Sequence, residues 1–145
     1  MNVLQASLAE DLLVAAHAGD VEQVRRLLDL GVEPRCLPPG AFAPALHHAV
    51  EVASVDVVAE LLSRGCAPDI PDRAKQTALG TVVHELSEGR DEATAARLRR
   101  IGELLMDRGA SPTAPCDSEH TALSLARAYA RPDLESWLED YATKP

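Results

Sequence analysis

Five histidines and three cysteines are the side chains here best suited to bind a metal or carry a nucleophile. Their spacing argues against both roles. His47 and His48 are adjacent, and neighbours on a helix point about 100° apart, so they do not readily share an ion. His17, His84 and His120 stand far from one another in the chain. Cys36, Cys66 and Cys116 are odd in number and form no CxxC pair, which fits neither a disulfide framework nor a zinc knuckle and points to a reducing compartment. The chain has no HExxH, no GxSxG, no phosphate-binding loop and no GxGxxG. The acids are dispersed, with no nucleophile paired to a base at a readable interval. The residues therefore predict no catalytic, cofactor or metal site and no small-molecule substrate; an enzyme with an unrecognised site is the remote alternative.

Composition bounds what must hold these residues. The 145 residues suit a single domain over 1–145, with 46% hydrophobic and 26% charged residues. Aromatics make up 3%, namely Phe42, Tyr129, Trp137 and Tyr141. A core so poor in rings is built from Leu, Val and Ala, as in closely packed thin helices. The net charge of −9 opposes binding to nucleic acid, whose phosphates would repel it. The same charge either favours a basic partner or simply keeps a small protein dissolved. The first residues lack a basic, apolar leader, and no apolar run approaches the ~20 residues needed to span a bilayer. The expectation is a cytoplasmic protein without membrane contact.

A repeat then emerges. Leu27-Leu28-Asp29-Leu30-Gly31-Val32-Glu33-Pro34, Leu61-Leu62-Ser63-Arg64-Gly65-Cys66-Ala67-Pro68 and Leu105-Met106-Asp107-Arg108-Gly109-Ala110-Ser111-Pro112 share one pattern. Each reads as a last apolar helical turn, a Gly that ends it in the left-handed conformation, and a Pro that cannot continue a helix. Twelve residues after Gly65 and Gly109 come Thr77-Ala78-Leu79 and Thr121-Ala122-Leu123, and thirteen after Gly31 comes Pro44-Ala45-Leu46-His47. Thr is a good N-cap for the helix that Ala-Leu begins. Each unit is a cap, a short helix, a tight turn, a second helix, a Gly stop and a polar connector.

This pattern resembles the ankyrin repeat, with its Thr-Pro-Leu-His, small pair, Gly, Val-Val, Leu-Leu and Gly. The copies run approximately over 10–34, 43–68, 76–112 and 120–141. The resemblance implies an all-α solenoid of about four helix-turn-helix repeats. Ala15, Ala16, Ala49 and Ala126 would let adjacent repeats approach closely. Glu10 and Asp11 would begin the first helix, as acids do at a positive helix end. Glu135 and Glu139 would make the outer face of the last repeat polar, closing an array capped at both ends.

Two departures from the pattern stand out. The connector from Arg35 to Ala43 is one residue long for its class and unusually apolar. Its Phe42 either folds back onto the first repeat or offers an exposed contact. Thr77 to Gly109 spans 32 residues where Pro44 to Gly65 spans 21. The surplus falls around Leu86 to Ala93 and predicts that both helices of repeat three are lengthened, with a joint near Gly89, Asp91 as N-cap and a knob opposite the connectors.

Ankyrin proteins bind partners through connector tips and the exposed side of the first helices. Carried onto this chain, that surface comprises His17, Ala18, Glu51, Val52, His84, Glu85, Ala128 and Tyr129 on helices. Connectors add Arg35, Leu37, Phe42, Arg73, Lys75, Gln76, Asp117, Ser118, Glu119 and His120. Glu51 and Glu85 would suit Lys or Arg from a partner, His17, His84 and His120 would titrate near neutrality, and Tyr129 would anchor the contact. Each is otherwise a solvated surface residue. His47 fills the family's scaffold histidine. The resemblance implies a protein-interaction module that sequesters or inhibits a partner, as when a small bacterial array serves as immunity protein to a basic effector. An adaptor subunit of a larger assembly is the alternative.

Overall fold

A computed structural model describes residues 2–35 and 37–144; Cys36, part of the first connector, lies outside them. The described residues form eight helices and no strand beyond an isolated bridge between Pro115 and Thr121. They are α1 (Val3–Ala18), α2 (Val21–Asp29), α3 (Ala45–Glu51), α4 (Val55–Ser63), α5 (Ala78–Ser87), α6 (Glu92–Asp107), α7 (Ala122–Ala128) and α8 (Pro132–Ala142). Helices α1, α3, α5 and α7 pack in succession as one layer, and α2, α4 and α6 as a second. The fold is an all-helical solenoid of four helix pairs.

The local chemistry follows the spelling of the repeat. Thr77 accepts from the Gly80 N–H and Thr121 from the Ser124 N–H, capping α5 and α7. Asp20 and Ser54 cap α2 and α4 in the same way. Gly31, Gly65 and Gly109 take φ of 96°, 89° and 108° after the second helices, where a Cβ would be strained. Ala15, Ala16, Ala49 and Ala126 are buried between repeats beside fully enclosed Leu12, Leu46, Leu61, Leu105 and Leu134.

The first helix departs from the expected start. It begins at Val3, not near Glu10, because Asn2 and Gln5 form a reciprocal capping box at its head. Residues 3–9 contain no Gly or Pro, and Ala9 joins Leu12, Ala15 and Ala16 on the buried side. Glu10 and Asp11 are therefore exposed in mid-helix and gain nothing from the helix terminus.

Repeat three is lengthened as its sequence requires. Relative to repeat two, α5 gains three residues, the turn one and α6 seven. Gly89 takes φ 77° in the joint. Asp91 occupies the N-cap position, although its side chain makes no capping bond. In α8, Glu135 pairs with Arg127 at 2.9 Å and Glu139 is exposed, so that helix is polar outside.

The connectors are stitched to one another and to the helices. His47 Nε2 lies 2.8 Å from the Gln76 carbonyl and the ring is 2% exposed, the scaffold duty its position implied. Asp72 Oδ1 accepts from the Ala74 and Gln76 N–H groups at 2.9 Å each. Asp117 Oδ1 does the same for Glu119 and His120, at 2.7 and 2.6 Å. Two arginines bridge repeats by donating to carbonyls at the ends of helices in the preceding repeat. Arg108 reaches Leu62 at 2.8 Å and Arg131 reaches Leu86 at 2.7 Å.

Candidate protein-binding face

The layer of α1, α3, α5 and α7, the inner helices, presents equivalent positions side by side. His17 and Glu51 occupy the same place in successive repeats, and their side chains meet, with His17 Nδ1 3.9 Å from Glu51 Oε2. His48, one turn before Glu51 on α3, brings its Nδ1 within 4.0 Å of the same oxygen. The two imidazoles stand edge to face with centroids 5.6 Å apart. Further along the row, Tyr129 Oη lies 2.7 Å from His84 Nδ1, and His84 Nε2 is 3.3 Å from Glu88. Tyr129 Oη and His84 Nδ1 share a hydrogen bond. The pair joins repeats three and four and fixes Tyr129, which keeps 40% of its surface exposed.

Phe42 does not fold back. It is 59% exposed, and with Leu13, Val14, His17, Pro38, Pro39 and His48 it borders an open apolar cleft of about 790 Å³ between α1 and the first connector. Arg73 supports the cleft from behind. Its backbone N–H donates to the Phe42 carbonyl at 3.0 Å, and its guanidinium donates to the Ala41 carbonyl. The prolines that stiffen the connector also hold Phe42 outward, since the Ala41 N–H closes a tight turn onto Pro38 at 3.0 Å. Leu37 goes elsewhere. It is half-buried and lines a separate cleft beside Leu8, Leu30 and Arg35.

The remaining positions are divided between surface and scaffold. Val52 ends α3 and is 38% exposed. Lys75 is exposed at the tip of the second connector, with φ 69°. Glu119 is exposed at the third connector, whereas His120 is half-buried against Asp117, with 3.3 Å between Nδ1 and Oδ1. Glu85 is turned toward Arg90 in the repeat-three joint and pairs with it, so its charge is met inside the chain. Asp72 and His48 were not among the expected site residues. No repeat-equivalent acid signals Asp72, whose counterpart in the next connector is Cys116, whereas His48 adjoins the row of repeat-equivalent positions.

Burial lowers the pKa of His48, an effect that Glu51 partly offsets. Burial pushes the thiols of Cys66 and Cys116 up to about 11, which leaves them un-ionised and unreactive near neutrality.

Two layers of short helices joined by stacked connectors define a helical-repeat protein. Residues 12–59, from α1 into α4, match the family described as ankyrin repeats (many copies). Such repeats generally mediate protein–protein interaction and are typically not enzymes. A comparison with curated proteins found no match. No helix among the described residues is long and apolar enough to cross a membrane.

Proposed function

We propose that this protein binds one protein partner across the inner-helix row and the first connector, and that binding sequesters or inhibits that partner. The observation that carries the reading is where the exposed large apolar side chains fall. Of the seven among the described residues, Val14 and Phe42 border the first-connector cleft and Val52 and Tyr129 close α3 and α7, while Val3, Leu4 and Leu30 lie at the ends of α1 and α2. Exposed apolar area of this kind, rimmed by acids and imidazoles, suits an interface better than open solvent. A connector held outward by two prolines loses little entropy on docking. The net charge of −9 favours a partner with basic surface, including a basic effector of the type that immunity proteins neutralise.

The test is affinity capture from the native host with wild-type protein and with Phe42→Ser and Tyr129→Ala, followed by titration of the captured partner. Inhibition should saturate at one-to-one stoichiometry and weaken as salt is raised. Both variants should capture at least about tenfold less, because aromatic anchors carry a disproportionate share of interface energy. Equal capture by wild type and both variants would remove this face from consideration. A partner that keeps full activity while a second protein binds alongside would make the chain an adaptor instead.

A further inference from the structure

His17, His48 and Glu51 come together where repeat one meets repeat two. One ligand atom from each lies within 4.8 Å of the other two. His17 Nδ1 and His48 Nδ1 are 3.9 and 4.0 Å from the same Glu51 oxygen. His48 Nδ1 is shielded from solvent and has no hydrogen-bond partner. A shielded imidazole nitrogen without a proton acceptor favours the tautomer that leaves its lone pair free. We propose that His17 Nδ1, His48 Nδ1 and Glu51 Oε2 form a three-ligand site for a divalent transition-metal ion, with Zn²⁺ the best fit.

The chemistry of the donors selects the ion. Two imidazoles and one carboxylate suit zinc and its first-row neighbours, whereas calcium and magnesium demand oxygen throughout. Bonds of about 2.0–2.1 Å at tetrahedral angles place ligand atoms roughly 3.4 Å apart. Each Nδ1 thus needs to close on Oε2 by about half an ångström, and no pair of ligand atoms by more than about 1.4 Å, within reach of side-chain torsions. The helices supply the preorganisation. His48 and Glu51 are three residues apart on α3, so they share one face, and the packing of α1 on α3 brings His17 to it. Three protein ligands leave a fourth position for water or an incoming side chain. His17 and His48 also border the Phe42 cleft, so a ligand entering that position has a path from solvent. Because the ligands come from two repeats, the ion would also tie α1 to α3.

The test is calorimetric titration of the full, untagged chain with Zn²⁺ alone, beside thermal melts with and without the ion. One saturating equivalent with micromolar or tighter affinity is expected, together with a rise in Tm that tracks Zn²⁺ concentration. His17→Ala and Glu51→Gln alter exposed side chains and should fold; each should weaken binding at least about tenfold and abolish the Tm rise. Imidazole ¹⁵N spectra should place the metal on Nδ1 of His17 and His48. Two outcomes overturn the proposal. One is no saturable binding up to about a hundred micromolar. The other is binding unchanged in both variants, which would assign the ion to other ligands such as the Asp117–His120 pair. The site is independent of the protein-binding reading: failure of Phe42→Ser and Tyr129→Ala to affect partner capture would leave the titration result untouched.

Discussion

Protonation of His47 asks for something the fold cannot supply. Its Nε2 faces the Gln76 carbonyl and must carry hydrogen, while its Nδ1 is buried without a partner. A second proton would be an unmet buried donor and an unpaired charge. Burial accordingly holds the pKa below 6.5, and the Gln76 carbonyl and nearby acids only partly oppose it. With the folded pKa depressed, the unfolded chain binds the proton first as pH falls. The stabilising contribution is complete above about pH 6.5 and declines as pH drops through and below it. Urea midpoints should fall between pH 7.5 and 5.5, and His47→Gln, which keeps an N–H for the carbonyl but cannot titrate, should flatten that decline. An undiminished slope in the variant would assign the effect to other groups. At the same scale, Asp72 is 8% exposed and holds two backbone N–H groups with one oxygen. Asp72→Ala should cost about 1–3 kcal/mol by leaving them unmet; a loss under half a kcal/mol in denaturant melts would show that water replaces the carboxylate.

Helix α6 carries a contact that helix propensity alone would misjudge. Gly102 is buried on its face toward α8, and a Cβ there would come within 2.5 Å of the Trp137 ring. Arg99 stacks 5.2 Å from the same ring, and its guanidinium reaches Asp133 at 3.2 Å. The glycine is the socket that lets α8 approach the long helix. Gly102→Ala should therefore destabilise by about 1 kcal/mol net, overpacking outweighing the gain in propensity. In a Trp137→Ala background the same change should instead stabilise by up to about 1 kcal/mol. Identical effects in both backgrounds, measured as a double-mutant cycle, would remove the ring as the cause.

Element by element, the sequence was most legible where one residue type has a single local meaning. Glycine stops, threonine caps and the joint at Gly89 are set by neighbours in the chain and were read directly. The turn between paired helices was less visible. Its left-handed position is Gly19 in repeat one and Gly89 in repeat three, but Ala53 and Ala130 carry it in repeats two and four, at φ 54° and 56°. Those alanines give no composition signal. The early start of α1 was hidden because Glu10 and Asp11 imitate a helix head while the real one lies at Asn2. The candidate face was legible as a row of positions but not as contacts. Spacing within one helix rightly separated His48 from His47, yet it could not reveal that His48 meets His17, 31 residues earlier, because that meeting depends on how repeats stack. Sequence likewise left open whether Phe42 turned in or out, since that depends on the turn at Pro38 and the support from Arg73.

At the scale of the whole molecule, each repeat touches only its neighbours, so stability is close to a sum of repeat and interface contributions. The same truncation should then have different reach in different places. Leu61 is fully buried in α4, which packs against both α2 and α6. Leu138 is equally buried, but its helix packs mainly on α7, with Trp137 and Arg99 providing the link to α6. Leu61→Ala should lower the global unfolding free energy by about 2–5 kcal/mol, because it weakens interfaces on both sides of repeat two. Amides throughout α2 to α6 should lose exchange protection together. Leu138→Ala should mainly release the final pair, with amides of α7 and α8 exchanging faster while those of α3 and α4 stay within about 0.5 kcal/mol of wild type. The distinction bears on the binding face, since Tyr129 sits at the end of α7 whereas Phe42, His48 and Glu51 belong to the interior. If both truncations lowered protection equally along the chain, the array would unfold as one block. A partner holding Tyr129 could then not stabilise repeat four separately from the rest.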